Sequence, residues 1–361
     1  MGGTKRHLCD LAPGLDAQRF RQHAFLSRER DPASADDMIE RLQAGGVEVT
    51  VVPMTRGISP GADRRALRKL EQALRAWQPD IIHGHSSKAG FLARVVKSPA
   101  KRVYTPHGFA FQMHVGGLRS GLYLALERWA GRRTDALVAL CESEKRLAVE
   151  RSIVAGGKVR VIGNGVETRL TPGPSPSGRG ENGPTVGTVG ALTEQKDTRT
   201  LIRALPLIRR EHPSATVVVA GDGHLHAQLA AEAERLGVGQ AVRLLGQRDD
   251  VPELLATLDV FVLPSLWEGF PYALLEAMAA EVPCVGSAVP GITDLIADGQ
   301  TGLLFPPGDA AALAVAVVAL LNDPPRARQY AQAAAERVRT RNTIAQMVAE
   351  TAALYEELCE D

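Results

Sequence analysis

The chain has 361 residues, 45% hydrophobic and 23% charged, which exceeds one comfortable core, sets two domains as the expectation and excludes a disordered or fibrous protein. Its formal charge of +1 hides a split, because residues 1–170 hold 28 Lys and Arg against 17 Asp and Glu (+11) and the remainder holds 14 against 24 (−10). The first half is therefore expected to meet something anionic, a membrane surface or a phosphorylated acceptor, and not nucleic acid, for which no reader motif is present.

Cys9, Cys141, Cys284 and Cys359 form no CxxC pair and read as free thiols in a reducing cytoplasm. No secretory signal is visible, and the longest apolar run, AALAVAVVALL from Ala311, falls short of the roughly 20 residues that cross a bilayer and suits a buried helix.

The chain opens MGGTKRHLCDL, with Gly2 and Gly3 ahead of a helical pattern that begins near Thr4. GVEVTVVP from Gly46 reads as a strand, and Ala62 to Gln78 as a helix with Leu67, Leu70, Leu74 and Trp77 on one face. Arg64, Arg65, Arg68, Lys69 and Arg75 crowd the rest of that helix, so it is either a core-facing stripe with a solvated back or a basic amphipathic helix on anionic lipid. PDIIHGHSSKAG then gives a strand at Asp80 to His83, a small-residue loop and a helix. His83 and His85 stand two apart as ligands could, but no third ligand of suitable spacing is near, and no metal is expected.

RVYTPHGFAF, from Arg102 to Phe111, reads as a strand whose end delivers His107 and Gly108 to the carboxyl edge of a sheet, where ligands gather in open α/β folds. By itself His107 reads first as a satisfied core histidine. Gly117 to Arg133 is a second candidate surface helix, with Leu118, Leu122, Leu126 and Trp129 on one face and Arg128, Arg132 and Arg133 toward an end that suits cations. DALVALCESEKRLA gives a strand and a helix with Ser143 as its N-cap, and KVRVIGNGVE from Lys158 a short strand and an Asn-Gly turn.

Thr171 to Pro184 is dense in Pro, Gly and Ser and reads as an exposed linker. TVGTVGALTEQKDTRTLIRAL follows as strand, turn and helix, its Gly187 and Gly190 too weak a pattern for a dinucleotide fingerprint. Strands from Ala215 and Ala241, with helices between, set the alternation of a doubly wound sheet. LDVFVLPS from Leu258 looks like a parallel strand buried on both faces, and LWEGFPYALLEAMAAEVP turns from it into a helix.

Pro271 suits the first position of that helix, which is expected to run to about Ala280. Its N-terminus is an anion site that Gly269 lets a ligand approach, and a diphosphate would fit. Glu268 precedes the helix and Glu276 lies about one and a half turns inside it, so the two carboxylates bracket that site. PCVGSAVPGITDLI and GLLFPPGD continue the alternation, and Asn342 to Glu357 forms the last long helix.

Glu268 and Glu276, with GFP after the first and seven residues between them, resemble the E-x7-E signature of retaining family-4 glycosyltransferases, and HSSKAG and YTPHGF extend the resemblance over nearly the whole chain. It implies the α/β GT-B architecture, two Rossmann-like doubly wound domains facing a central cleft. Residues 1–168 would bind the acceptor, 169–184 link, 185–340 bind the nucleotide sugar, and 341–361 form a helix crossing back to the first domain.

The resemblance further implies a retaining transfer of a sugar from a nucleoside-diphosphate sugar, UDP-linked first, to a glycan or lipid-linked acceptor in cell-surface polysaccharide synthesis. No metal or other cofactor and no nucleic acid would take part. The protein would be cytoplasmic, with attachment at the inner face of the cell membrane as a further possibility that its charge admits. His107 would touch a sugar hydroxyl, Glu268 the transferred sugar or its phosphate, and Lys196 the leaving diphosphate. Gly3, Gly269, Phe270, Pro271 and Ala273 would line the donor, Glu276 would hold the ribose hydroxyls, and Gln247 and Arg248 would face the base.

Three departures from the family pattern stand out. No strand precedes the Gly2-Gly3 loop, a misassigned start being favoured over a truncated chain or a sheet lacking a central strand. Ala191 occupies the Arg position of the family's GRLxxxKG element, with Arg199 the nearest substitute cation, and Gly163 replaces the Pro of VIPNGVD. These keep a second reading open, a GT-B relic that binds without catalysing. A nucleotide-sugar 2-epimerase ranks last, because the epimerases compared lack the E-x7-E layout.

Overall fold

The computed structural model describes residues 2–29, 31–55, 57–112, 117–168 and 183–360, so most of the stretch read as a linker, 169–182, lies outside the described residues. Two compact units emerge, residues 1–165 with 344–361 and residues 166–343.

The first unit begins with α1 (Gly3–Gly14), β1 (His23–Leu26), α2 (Pro32–Ala44), β2 (Glu48–Val51), α3 (Pro60–Trp77), β3 (Ile81–His85) and α4 (Ser87–Val95). It continues with β4 (Lys101–Thr105), α5 (Gly117–Gly131), β5 (Ala136–Ala139), α6 (Glu142–Glu150) and β6 (Val159–Val161). Its parallel strands fall in two sheets, β1-β2 and β3-β4-β5-β6, and α1 is the first element among the described residues.

Local chemistry explains several boundaries. Asp31 caps α2 by accepting from the Ser34 N–H, and Pro32 supplies the first helical position. β4 stops at Thr105 instead of running to Phe111, because His107 (φ 53°) and Gly108 (φ 87°) turn the chain out of the extended region. Ser143 is not the cap of α6. Cys141 is, while Glu144 in the first turn reaches back to the Leu140 N–H at 2.7 Å.

The second unit holds β7 (Thr185–Val189), α7 (Thr198–Glu211), β8 (Thr216–Ala220), α8 (His226–Arg235), β9 (Val242–Leu244), α9 (Val251–Ala256), β10 (Val260–Leu263) and α10 (Tyr272–Ala279). β11 (Cys284–Ser287), β12 (Leu303–Phe305), α11 (Ala310–Asn322) and α12 (Pro324–Arg341) complete it. All six strands are parallel in the order β12-β11-β10-β7-β8-β9, a doubly wound sheet that reverses direction between β7 and β10.

β10 is wholly buried. Val260 and Val262 join the core that also holds α7, α8 and α11, while Phe261 and Leu263 join the core with α10 and α12. One short apolar run thus feeds both faces of the sheet. The last helix, α13 (Ile344–Glu360), belongs to the first unit, where Met347, Leu354 and Leu358 pack with Leu11, Leu15, Val103 and Val138.

Among the described residues no single helix is long and apolar enough to cross a membrane; the apolar α11 is followed by a bend of 103° into α12.

Candidate active site

Loops leaving adjacent parallel strands that wind in opposite directions diverge and leave a crevice at their carboxyl ends. In the second unit these are the loops after β7 and β10, and they are tied together. The Leu266 N–H donates to the Gln195 carbonyl at 2.8 Å, and Gln195 Nε2 donates to the Trp267 carbonyl at 3.0 Å. At their centre Lys196 Nζ lies 2.5 Å from Glu268 Oε1, which also accepts from Ser265 Oγ at 2.7 Å.

The Glu268 side chain is 6% exposed and that of Lys196 22%, so the ammonium is the more accessible partner of a mostly buried pair. The Lys196 stem lies over Gly190, where an added Cβ would stand 3.5 Å from it. Asp197, next in line, takes a left-handed φ of 42° and starts α7. Gly291 closes the other side, since a Cβ there would meet the Gly269 carbonyl oxygen at 2.3 Å.

Pro271 is the N-cap of α10 and not its first helical residue, because its ψ of 120° is extended; the helix runs from Tyr272 to Ala279. The correction is one residue at each end and leaves the positive end of the helix dipole at Gly269 to Ala273. Glu276 is half-buried in the second turn of α10. Ala191 is exposed on the same loop as Lys196, and Arg199 is hydrogen-bonded to Gln228 of α8 at 3.1 Å. Gln247 and Arg248 are exposed after β9, with Arg248 paired to Asp250.

In the first unit Gly3 opens α1, exposed, with Gly2 as its N-cap. His107 sits in the turn after β4. Glu144 fixes that turn by accepting from the Gly108 N–H at 2.8 Å while holding Leu140 with its other oxygen, so one buried carboxylate joins the loops after β4 and β5.

Around His107 gather His7 of α1 and His83 and His85 of β3. The His7 and His107 rings lie 4.8 Å apart, and His85 Nδ1 lies 3.2 Å from His107 Nε2. His7 Nδ1–H donates to Asn164 Oδ1 at 3.0 Å; His83 bonds Tyr355 through Nδ1 (2.6 Å) and Thr105 through Nε2 (2.8 Å). Burial disfavours the charged imidazoles, pushing His7 down to about 4 and His83 to about 3, and holding His85 and His107 well below the usual histidine range. The four rings are neutral near pH 7.

The expectation that no third ligand lies near His83 and His85 is therefore overturned. Ring nitrogens of His7, His85 and His107 lie within 4.8 Å of one another. Spacing along the chain concealed this, because α1 supplies His7 from 78 residues away. Glu144 and Asn164 were likewise not singled out, Asn164 being read only as part of an Asn-Gly turn.

Residues 174–337 match the family described as Glycosyl transferases group 1, and residues 2–165 the Glycosyl transferase 4-like domain. The chain is 32% identical, over 76% of its length and 74% of the relative's, to the UDP-Gal:alpha-D-GlcNAc-diphosphoundecaprenol alpha-1,3-galactosyltransferase of Escherichia coli. It is 35% identical to a glycogen synthase of Mycobacterium tuberculosis over 73% of its own length, spanning 65% of that protein. Among solved structures, Anabaena Alr3699/HepE in complex with UDP and glucose superposes with a TM-score of 0.82 at 22% identity, over 98% of this chain and 96% of that one.

Proposed function

Because the chain belongs to the group 1 glycosyltransferases and has the GT-B fold, we propose that it moves a hexosyl unit from a nucleoside-diphosphate sugar, UDP-linked first, to a glycan or lipid-linked acceptor with retention at the anomeric carbon, in cell-surface polysaccharide assembly. The observation that carries the donor reading is the Lys196–Glu268 pair at the point where the second sheet reverses direction. A diphosphate arriving at the α10 N-terminus brings negative charge to a lysine already held by one carboxylate, and the helix dipole assists it. Glu276 accepts from the ribose hydroxyls, Glu268 meets the transferred sugar or its phosphate, and Gln247 and Arg248 meet the base. Gly3, Gly269, Phe270 and Ala273 line the donor, with Pro271 fixing the turn.

His107 accepts from a sugar hydroxyl, a role suited to a ring that burial keeps neutral. The first unit takes the acceptor and the second the donor. Retention requires the bond from the anomeric carbon to the leaving oxygen to break while the acceptor oxygen attaches on the same face, its proton passing to the departing diphosphate. No metal takes part in this transfer.

The acceptor reading draws on the Escherichia coli relative, whose name gives a lipid-linked diphosphate as its acceptor, and on the surface of α5. Leu118, Leu122 and Trp129 of that helix are 95%, 50% and 42% exposed, and Arg119, Arg128, Arg132 and Arg133 are exposed around them. The inward side of α5 is held by Glu127, buried against Arg94 at 2.7 Å and Tyr104 at 3.1 Å, which frees the apolar side to face outward. α3 differs: Leu70 and Leu74 are consumed in a core with Val52 and Leu92, leaving only its basic side exposed. Attachment to the inner face of the membrane is assigned to α5 for insertion and to α3 for charge attraction.

The exposed Ala191 favours one competing reading, donor binding without turnover. Incubation with UDP-, GDP- and ADP-sugars and a lipid-diphosphate-linked sugar acceptor separates the two. Nucleoside diphosphate release with a product of unchanged anomeric configuration supports transfer. Saturable donor binding with no release supports the relic, and an inverted product removes the retaining mechanism.

A further inference from the structure

His7, His85 and His107 form a cluster that the transfer reaction does not explain, since the reading above uses only His107. We propose that these three imidazoles are a binding site for a divalent transition-metal ion of the zinc class. Their ring nitrogens lie within 4.8 Å of one another, and the closest pair, His85 Nδ1 and His107 Nε2, stands 3.2 Å apart. Two nitrogens on a tetrahedral zinc, at about 2.0–2.1 Å each, stand about 3.3–3.4 Å apart, so this hydrogen-bonded pair needs almost no movement once the hydrogen between the two rings passes to the donor's other nitrogen or to solvent.

The surroundings orient the ligands. His7 gives its Nδ1–H to Asn164 Oδ1, which leaves Nε2 as the lone-pair nitrogen and holds the ring in place, the outer-shell arrangement usual for zinc histidines. His107 is held at a left-handed φ of 53°, uncommon for a residue with a side chain, and Glu144 fixes the following peptide. His83 is excluded as a fourth ligand because both its nitrogens are engaged, with Tyr355 and Thr105. The donor set is then three imidazoles, which favours zinc, nickel or copper over magnesium, calcium or manganese. Water completes the fourth position. This is a claim about the chain without its donor: with Nε2 on the ion, His107 keeps only an Nδ1–H, so the ion and the sugar hydroxyl would compete for that ring.

The test uses the untagged full chain, stripped with a chelator and titrated with Co²⁺ and then Zn²⁺. One equivalent of Co²⁺ should give the visible absorption of a low-coordinate cobalt–imidazole site, and one equivalent of Zn²⁺ should displace it and raise the melting temperature. His107→Gln should weaken Zn²⁺ binding by about 100-fold or more, and Asn164→Ala, which removes the orienting partner of His7, by about 10- to 100-fold. His224→Gln with His226→Gln, on the other unit, should leave binding unchanged. Circular dichroism identifies the variants that fold; should His107→Gln fail to fold, Asn164→Ala and the wild-type cobalt spectrum decide. The proposal is overturned if the wild-type chain takes up no Zn²⁺ at submillimolar concentration, or if folded His107→Gln or Asn164→Ala binds as the wild type does.

Discussion

Glu276 carries the most exposed claim among single residues, because its assigned contact is to the nucleotide and not to the reacting bond. Losing a hydrogen-bonded, partly buried carboxylate commonly costs about 1–3 kcal/mol, so Glu276→Ala should weaken donor binding by roughly 5- to 150-fold in calorimetry. Unchanged affinity in a folded variant would remove the ribose role. At Ala191, exposed beside Lys196, restoring Arg should raise turnover, since an oriented cation at the leaving group can be worth about 2–4 kcal/mol in the transition state. A flat or lower rate would mean that Lys196 alone serves the diphosphate. At this scale the sequence displayed its local strings and hid its long-range pairs. EGFPYALLE shows both carboxylates, whereas the Lys196–Glu268 contact spans 72 residues and the His7–Asn164 bond 157.

Among the elements, β1, α2, α9 and α12 were not read from the sequence. β1 is only four half-buried residues, HAFL, flanked by charge, and neither period 2 nor an apolar run marks it. α2 carries its signals at the cap, Asp31 and Pro32, more than in its pattern, which buries only Ala35, Met38 and Leu42. The strands β8 and β10 were legible because burial on both faces demands continuous apolar runs. For the membrane claim, the full chain should sediment with anionic but not neutral vesicles. Arg64→Gln, Arg65→Gln, Arg68→Gln and Lys69→Gln together should reduce binding chiefly at low salt, at about 1 kcal/mol per charge near the surface. Leu118→Ser with Leu122→Ser should reduce what survives high salt. Binding to neither vesicle, or equally to both, would leave α3 and α5 as ordinary solvated helices.

The contact between α7 and α8 has a pH signature. Arg235 and then Arg203 hold the Glu232 carboxyl down to about 2 from an ordinary 4.5. A carboxyl depressed in the folded state stabilises fully above about 4.5 and loses that contribution as the pH falls toward 2. Glu232→Gln should therefore lower the urea midpoint at pH 7, with the difference from wild type shrinking across that interval. A difference independent of pH would show that shape and not charge holds these helices.

At the scale of the molecule, the order β12-β11-β10-β7-β8-β9 decides where the chemistry sits, because it sets the loops after β7 and β10 side by side at the reversal of the sheet. The alternation of strands and helices made this sheet readable, but not which loops would touch. The split of the first unit's strands into sheets of two and four was not readable, since it depends on which edges pair. The most direct test of donor chemistry at that reversal is the rate of nucleoside diphosphate release from the preferred sugar donor by the wild type and by Lys196→Gln. Glutamine retains a donor for Glu268 Oε1 while removing the charge, so the fold is spared and the diphosphate contact is not. A fall of about 10²–10³ in turnover with intact circular dichroism is the expected result; an unchanged rate would contradict the assignment of this site to the leaving diphosphate.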